Sequence, residues 1–415
     1  MRILLISDHS DPLAEIGSKE AGGQNIYVYY LARYLGRLGI FVDIFTRWDR
    51  LNKIEVAKVN HHIRVIRVKA GPRRYVPKEE FISLLPEFTA NILRRIEQEE
   101  TQYDLVHSNY WLSGLVGMEI SKRLNLPHFF VFHSIGQVRL QTFQRFDQIP
   151  NPDLFAERLK SEAAITGSVD RIIGTSPVEK ATIMDIFKVA EEKIKVIPIG
   201  VDTRIFRPTT FSPKSKLLMS PDEKNILYVG RLEWRKGIGT LLRSFALAQK
   251  EYPSSKLYVV GGSTNQSAKM LEAEELERQS KLISELNIQG QVVYVGPVSQ
   301  KQLFRYYNAA DVVVVPSYYE PFGIVPLESM ACGTPVVASR TGGLQFTIRD
   351  GVTGHLAEPR NHIDLAEKLK LVLAKARGHY SLACLSRINR HFNWEKISRE
   401  YAEFFEEFTN RKEML

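Results

Sequence analysis

Cysteine is nearly absent from the sequence, with only Cys332 and Cys384 among 415 residues. Two cysteines imply neither a disulfide framework nor a cysteine-based metal site. No uninterrupted apolar run approaches the roughly 18–20 residues that a membrane-spanning helix needs. The apolar run in the N-terminal stretch MRILLISDHSDP is too short for a signal peptide and predicts a first strand instead. A reducing cytoplasm is therefore the expected location.

The chain also lacks an aromatic and basic RNA-binding signature and a zinc-finger spacing, so no nucleic-acid partner is expected. Its composition is 44% hydrophobic and 25% charged, which is ordinary for a globular protein of two or three domains. The net charge of +9 fits anionic ligands, an acidic membrane surface or nucleic acid, and charge alone does not choose among these. Small molecules are the expected partners, membrane association is not expected, and the oligomeric state stays open.

Short Val- and Ile-rich runs alternate with helical periods along most of the chain, from RILLIS to DVVVVPS. This alternation predicts parallel sheets with helices on both faces. The polar, proline-containing segment 203–222 predicts a linker. We therefore predict two doubly wound α/β domains, residues 1–202 and 223–394. Ligands of such sheets bind beyond the carboxyl ends of the strands, which places the expected site in a cleft between the domains.

The stretch YVGRLEWRKG brings two cations, Arg231 and Lys236, directly after a predicted strand that ends at Gly230. Arginine can hold two phosphate oxygens at once, and lysine acts as a point charge. These residues predict a phosphate or diphosphate site. The alternative is a solvated turn with incidental charges.

Two glutamates eight positions apart, Glu320 and Glu328, flank the stretch EPFGIVPLE after the strand DVVVVPS. Gly323 allows a close approach of the backbone, and the helix expected from Val325 onward would offer free N–H groups to an anion. Carboxylates also accept hydrogen bonds from sugar and ribose hydroxyls. The alternative is a turn glutamate and a surface helix glutamate.

This E-x7-E motif, with PFG inside it and ACGTPVVAS behind it, resembles the retaining glycosyltransferases of family 4, which have the GT-B fold. VGRLEWRKGI resembles the donor-diphosphate segment of that family, and AGGQNIYVYYLARYLGRLGIFVDIFTR its N-terminal glycine loop and first helix. IPIGVDTRIFRP and TGGLQFTIRDGVTGHLAEP also match, so the resemblance covers nearly the whole chain. It implies two Rossmann-like domains facing an interdomain cleft, with the last helix, 395–415, packing back on the first domain.

The resemblance implies specific roles around a nucleotide sugar. Arg231 and Lys236 would neutralise the leaving diphosphate, Glu328 would bind the ribose hydroxyls, and Glu320 would hold a sugar hydroxyl. His133 would contact the transferred sugar near the reacting centre, although a histidine hydrogen-bonded at a strand end is the alternative. The remaining donor contacts implied are Gly22, Gly23, Gly230, Gly296, Val298, Phe322, Gly323, Ile324 and Val325. UDP-glucose is the expected donor, with ADP and GDP as alternatives for the nucleotide, and no cofactor or metal is expected.

A narrower resemblance concerns the acceptor. GPRRYVPKEEFISLLPEF and FHSIGQVRLQTF are similar to stretches of sucrose-phosphate synthases, whereas HSNYWLSG and IPIGVD are closer to the inositol-phosphate glucosaminyltransferases of mycothiol synthesis. In both groups a basic pocket binds the acceptor phosphate. The acceptor contacts implied here are Gln24, Arg73, Lys78, Tyr110, Ser134 and Arg158. A solvated basic loop and an exposed helix charge at Arg158 are the alternatives.

Fructose 6-phosphate is the expected acceptor, which would give sucrose 6-phosphate. An inositol phosphate is the second candidate, and a phospholipid is the third.

Overall fold

The computed structural model describes residues 1–14, 22–144, 151–209, 214–217, 219–220, 222–262, 266–376 and 378–413. The chain divides into two compact units. Unit 1 contains Met1–Ala14, Glu20–Pro198 and Trp394–Leu415, and the main part of unit 2 is Ile199–Asn393. The division therefore falls four residues before the predicted limit at 202, and the predicted linker belongs to unit 2.

The described part of unit 1 contains an eight-stranded sheet in the order β3-β4-β2-β1-β5-β6-β7-β8. Its strands are β1 Arg2–Ile6, β2 Phe41–Arg47, β3 Val56–Lys58, β4 Ile63–Val68, β5 Leu105–Asn109, β6 His128–Val131, β7 Arg171–Gly174 and β8 Ile194–Val196. Strand β1 pairs in parallel with β2 and β5, with Ile3 opposite both Val42 and Leu105. The continuous apolar strands are buried on both faces because helices cover both sides of the sheet.

The helices of unit 1 are α1 Gly23–Arg37, α2 Leu85–Gln98, α3 Tyr110–Leu124, α4 Gly136–Gln144, α5 Pro152–Ser168, α6 Pro177–Phe187 and α14 Trp394–Glu413. Pro86 lies in the first turn of α2, after the 3-10 helix Lys78–Leu84, where its missing N–H costs no hydrogen bond of the helix. Helix α14 packs against α1, where the hydroxyls of Tyr27 and Tyr401 form a buried 2.6 Å hydrogen bond. The indole ring of Trp394 packs among the tyrosines of α1.

The described part of unit 2 contains a six-stranded parallel sheet in the order β11-β10-β9-β12-β13-β14. Its strands are β9 Asn225–Val229, β10 Lys256–Val260, β11 Val292–Gly296, β12 Val312–Val315, β13 Val336–Ser339 and β14 Gly354–Ala357. This is the doubly wound arrangement in which the strand order reverses between the first and fourth strands, here β9 and β12, which pair in parallel. The loops after these two strands carry the predicted donor residues.

The helices of unit 2 are α7 Ile238–Gln249, α8 Gln266–Glu285, α9 Gln300–Ala309, α10 Ile324–Ala331, α11 Leu344–Thr347, α12 His362–Leu373 and α13 Gly378–His391. Short 3-10 turns occur at Lys214–Leu217, Trp234–Lys236 and Gln289–Gln291. Helices α7, α8, α9 and α10 each connect one parallel strand to the next along the chain, which is the geometry of a crossover connection, whereas α12 and α13 follow the last strand.

The structure differs from the predicted all-parallel pattern at one edge. Strand β3 pairs antiparallel with β4, with Ala57 opposite Val65. This three-residue strand is too short and too polar to show a period in the sequence. An antiparallel edge strand on an otherwise parallel sheet is common because it needs only a tight connection.

Candidate active site

The loop after β9 is held in a tight conformation by glycine and by its own charges. Gly237 has φ +74°, and a Cβ there would lie 2.0 Å from the carbonyl oxygen of Pro316, in the loop after β12. The backbone N–H of Tyr318 also donates to the carbonyl oxygen of Arg235 at 2.9 Å. The two loops at the switch point therefore contact each other through backbone atoms.

Glu233 organises the cations of this loop. Its carboxylate contacts Arg231 Nη1 at 2.8 Å and Arg235 Nε at 2.6 Å. Burial raises the pKa of Glu233, but the nearby charges of Arg235, Arg231 and Lys236 outweigh burial and lower it to about 2. Glu233 is therefore ionised at neutral pH, and it orients Arg231, whose side chain is 51% exposed and accessible to a ligand.

Lys236 and Glu320, predicted as separate donor contacts, form a direct ion pair. Lys236 Nζ lies 2.6 Å from Glu320 Oε2, and Ser317 Oγ lies 3.4 Å from the same carboxylate oxygen. Both charged side chains are less than one-fifth exposed. The pair brings a cation and a carboxylate to the edge where the carboxyl ends of β9 and β12 meet.

Two further glycines, Gly342 and Gly343, pack closely against the backbone of the segment Glu320–Gly323. A Cβ on Gly342 would lie 2.1 Å from the carbonyl oxygen of Glu320, and a Cβ on Gly343 would lie 2.4 Å from Phe322 Cα. Gly323 has φ +99° and precedes the first turn of α10, where Ile324 and Val325 are half-buried. Only glycine fits these approaches, so the three glycines set the backbone that the predicted sugar and phosphate contacts use.

Glu328 is a buried carboxylate on α10 and not the surface residue of the alternative interpretation. Its side chain accepts a 2.7 Å hydrogen bond from the Tyr307 hydroxyl and a 3.4 Å contact from Gln300 Nε2. Burial raises the pKa of Glu328 to about 7, although these hydrogen bonds oppose the shift. A buried carboxylate with so few donors can accept further hydrogen bonds from ligand hydroxyls.

The carboxyl ends of β9, β10 and β11 present glycine backbone to this edge. A Cβ on Gly261 would lie 1.8 Å from the carbonyl oxygen of Gly230, and Gly261 N–H donates to Gly296 O at 3.0 Å. Gly296 has φ +86° and open space around it, and Val298 follows in a half-buried turn. Backbone N–H and C=O groups along this half-buried edge that are not paired with each other can form hydrogen bonds with a ligand.

In unit 1, Asn109 connects two of the predicted residues at the carboxyl end of β5. Its Oδ1 lies 2.9 Å from His133 Nε2, and its carbonyl oxygen accepts a 3.3 Å hydrogen bond from Gln24 Nε2. Burial lowers the pKa of His133 to about 3, so the imidazole is neutral at physiological pH. His133 has φ +56°, a sparsely populated conformation that is concentrated at functional sites.

Three predicted acceptor residues, Tyr110, Ser134 and Arg158, lie together. Arg158 donates from Nη1 to the Tyr110 hydroxyl at 3.1 Å and from Nη2 to the carbonyl oxygen of Ser134. Arg158 is not the exposed helix charge of the alternative interpretation, because its side chain is 5% exposed and its Nε pairs with Glu162 Oε1 at 2.7 Å. The guanidinium therefore positions Tyr110 and the backbone of Ser134.

The basic loop GPRRYVPK is held by Arg47, the last residue of β2. Its Nε donates to Ala70 O at 2.8 Å and its Nη1 to Arg74 O at 2.9 Å, and Nη2 donates to Pro72 O. Arg73 is exposed and its guanidinium stacks 3.7 Å above the centre of the Trp48 ring. Lys78 begins the following 3-10 helix, and its side chain lies outside the described part of the structure.

The N-terminal glycine loop leads into α1. Gly22 donates its N–H to Asn25 Oδ1 at 2.9 Å, and Gly23 is the first residue of the helix. The side chain of Asn25 also donates to Asp11 O at 2.8 Å. The glycines thus precede a helix whose first N–H groups point out of its N-terminus.

Sequence patterns did not identify Arg47, Asn109 or Glu233 as site residues. Glu233 stands inside the quoted motif, and its position between Arg231 and Arg235 was an available signal. Arg47 contacts Ala70 and Arg74, which are 23 and 27 positions away in the chain. Asn109 contacts His133, which is 24 positions away. Only the folded structure shows these contacts, so local sequence patterns could not identify the two residues.

Comparisons with known proteins agree with this geometry. Residues 21–205 match the model described as Glycosyltransferase Family 4, and residues 212–381 match Glycosyl transferases group 1. The D-inositol 3-phosphate glycosyltransferase of Corynebacterium jeikeium is 36% identical over 98% of this chain and 97% of its own length. The chain belongs to glycosyltransferase family 4, the retaining glycosyltransferases of GT-B fold.

Two solved structures are similar to this chain over nearly its whole length. A sucrose-phosphate synthase from Thermosynechococcus elongatus superposes with a TM-score of 0.89 and 37% identity, covering 99% of this chain and 100% of that one. Anabaena HepE in complex with UDP-glucose superposes with a TM-score of 0.74 at 19% identity, covering 98% of this chain and 100% of that chain, which supports the fold alone. Among the described residues, no helix is both long and apolar enough to cross a membrane.

Proposed function

We propose that this enzyme transfers glucose from UDP-glucose to fructose 6-phosphate, with retention of configuration, and releases sucrose 6-phosphate and UDP. The observation that carries the proposal is the match over both full lengths to a sucrose-phosphate synthase at 37% identity. The basic loop GPRRYVPK, held by Arg47, supports a phosphorylated acceptor because arginine and lysine side chains bind phosphate oxygens.

In this proposal the donor binds to unit 2. The exposed Arg231 and the half-buried Lys236 neutralise the diphosphate, and Glu328 accepts hydrogen bonds from the ribose hydroxyls. Glu320, held by Lys236, accepts a hydrogen bond from a hydroxyl of the glucose. Backbone around Gly296 and Val298 contacts the base, and the loop Phe322–Val325 contacts the sugar and phosphate.

The acceptor binds to unit 1. Arg73 and Lys78 approach the phosphate, together with Ser134 and the hydroxyl of Tyr110. Arg158 holds Tyr110 and Ser134 in place. Gln24 contributes a donor close to Asn109, while Gly22 and Gly23 let the N-terminal loop approach the substrates.

The chemistry follows from where charge develops. Breaking the bond between glucose and the diphosphate places negative charge on the leaving oxygen, and Arg231 and Lys236 stabilise that charge. The acceptor hydroxyl attacks the same face, and the leaving phosphate takes its proton, so no protein nucleophile is needed. The neutral His133 donates or accepts a hydrogen bond near the transferred sugar. No metal ion takes part, and we expect activity to persist in a metal chelator.

A second candidate acceptor is an inositol phosphate. It is favoured by the curated relatives, since the Corynebacterium jeikeium protein, named a D-inositol 3-phosphate glycosyltransferase, matches at 36% identity over nearly the full chain. Both candidates place a phosphate against the same basic loop and differ in the ring that carries it. The cytoplasm, where such phosphorylated acceptors occur, is the proposed location.

The deciding experiment measures product formation from UDP-glucose with fructose 6-phosphate, fructose, myo-inositol 1-phosphate, inositol 3-phosphate and phosphatidylinositol. Among these acceptors, we expect product only with fructose 6-phosphate, and that product should be sucrose 6-phosphate. Lys78→Ala should show a large loss of this activity. Lys58→Ala, at an exposed position in the edge strand β3, is the matched control. Transfer to an inositol phosphate alone would establish the second candidate, and transfer to the lipid alone would exclude both. ADP-glucose and GDP-glucose should replace UDP-glucose poorly.

A further inference from the structure

Unit 2 contains a second cluster of cations that the donor site does not use. A cavity of about 190 Å³ lies between helix α13 and the turn that follows α11. Its polar lining comes from Arg349, Thr353, Ser386, Arg387, Arg390 and His391, and no carboxylate lines it. On α13, Ser386 and Arg387 lie four and three residues before Arg390, which makes each of them a neighbour of Arg390 on the helix surface.

Two guanidinium groups of this cavity, those of Arg349 and Arg387, have N–H donors without a described partner. Among the described residues, the side chain of Arg349 has neither an ion-pair partner nor a hydrogen bond. Arg387 donates from Nε to Thr347 O at 2.7 Å and from Nη2 to Phe346 O, which leaves its Nη1 without a partner in the described structure. The hydroxyl of Ser386 likewise has no described hydrogen-bond partner.

Like charges concentrated without a carboxylate repel each other. Burial and then repulsion by Arg349 lower the pKa of Arg387 below its usual value. An anion between the two guanidinium groups would reverse this penalty and use the open N–H donors.

Favourable interactions with helix C-termini account for the positions of only some of these cationic side chains. Arg387 caps the last carbonyls of α11, and Arg390 and His391 lie in the last turn of α13, where the helix dipole favours cations. Arg349 lies in the turn outside both helices and gains nothing from either dipole. Its place in the cavity lining is therefore not explained by a helix dipole.

We propose that this cavity, the Arg349–Arg387 pocket, binds a small phosphate dianion, either inorganic phosphate or the phosphate group of a small monoester. Two guanidinium groups and a serine hydroxyl match the oxygens of a phosphate. The cavity is smaller than the roughly 300–1,000 Å³ of sites for drug-sized ligands, so it suits a small anion and not a nucleotide.

The test is a calorimetric titration of inorganic phosphate into the full-length protein with UDP at saturation, so that the proposed diphosphate site is occupied. Arg349→Gln and Arg349→Glu are the test variants, since this exposed residue makes no side-chain contact that folding would lose. Arg278→Gln, at an exposed arginine of α8, is the matched control. Arg73→Gln separates the pocket from the proposed acceptor site.

We expect Arg349→Gln to weaken phosphate binding roughly tenfold or more, because a charge-assisted hydrogen bond is lost, and Arg349→Glu to abolish it. Arg278→Gln and Arg73→Gln should leave this binding event unchanged. A parallel titration with glycerol 3-phosphate identifies the source: tighter binding of the ester indicates a monoester ligand, and weaker binding indicates free phosphate. Phosphate affinity in both Arg349 variants equal to that of the unchanged protein would overturn the proposal.

Discussion

Lys236 Nζ lies 2.6 Å from Glu320 Oε2, although 84 residues separate them in the chain. The contact joins the loop after β9 to the loop after β12, the two strands between which the sheet of unit 2 reverses its order. The fold thereby places side by side the cation that we propose for the diphosphate and the carboxylate that we propose for a sugar hydroxyl. Such preorganisation is the basis of the first prediction.

Replacing Lys236 by methionine should lower kcat roughly 10²–10³-fold, because a fixed positive charge on the leaving diphosphate is removed. The free energy of unfolding should also fall, because both side chains are less than one-fifth exposed and Glu320 is left without its charged partner. Initial rates with UDP-glucose and thermal denaturation measure the two effects. Lys250→Met, at an exposed end of α7, should alter neither. An unchanged kcat in Lys236→Met would remove this residue from the proposed machinery.

Donor affinity should depend on pH through Glu328. Its pKa is raised to about 7 by burial, and hydroxyl donors bind the ionised carboxylate better. The affinity for UDP-glucose should therefore increase as pH rises through about 7, and this dependence should disappear in Glu328→Gln.

The same pKa shift makes a stability prediction of definite sign. Between about pH 4.5 and 7 the folded state keeps a proton on Glu328 that the unfolded chain releases, so this residue's contribution to stability declines as pH rises through that range. The difference in unfolding free energy between the wild-type protein and Glu328→Gln should follow the decline. If this difference in unfolding free energy does not change with pH, the pKa of Glu328 is not raised by burial.

Gly342 should be intolerant of a side chain. Its φ is +46°, and a Cβ would lie 2.1 Å from the carbonyl oxygen of Glu320. Gly342→Ala should lower the free energy of unfolding by roughly 1–3 kcal/mol and weaken UDP-glucose binding by displacing the Glu320 loop. Gly290→Ala is the matched control, because its Cβ meets nothing within 4 Å. Equal donor affinity in the two variants would show that Gly342 does not support the site.

Arg47 should set the affinity for a phosphorylated acceptor without touching the donor. Arg47→Gln removes N–H donors that hold the carbonyls of Ala70, Pro72 and Arg74. We expect a raised KM for the sugar phosphate, with kcat and the Kd of UDP-glucose nearly unchanged, and partial rescue by Arg47→Lys. Arg50→Gln, at a mostly exposed neighbour, should leave the KM as it is. A loss confined to thermal stability would reduce Arg47 to a structural role.

The ion pair of Arg158 and Glu162 should behave as a buried one. Glu162 is fully buried and also accepts the backbone N–H of Gly136. Glu162→Ala leaves an uncompensated guanidinium and should lower the free energy of unfolding by about 3–5 kcal/mol. Removing Glu119, whose pair with Arg123 is exposed, should have an effect of about 0.5 kcal/mol or less. Urea denaturation measures the free energy of unfolding of the two variants. Similar losses in both would mean that the Arg158–Glu162 pair behaves like an exposed ion pair.

Sequence patterns determined the repeating strands and helices and the loop that carries Arg231 and Lys236. They could do so because buried parallel strands read as continuous apolar runs, and glycine marks turns that other residues cannot adopt. The same local signals located Glu320 in the loop between β12 and α10, and Glu328 within α10.

The tertiary structure determined which polar side chains are buried and which residues they pair with, because local sequence periodicity does not encode these contacts. It buried Glu328 and Arg158, which sequence alone allowed on the surface, because their surroundings come from helices and strands far along the chain. It also brought Arg47 to the carbonyls of Ala70–Arg74 and assembled the Arg349–Arg387 pocket. A local pattern determines which residues can form a strand, a helix or a charged loop, whereas burial and pairing depend on which distant segments the fold packs against them.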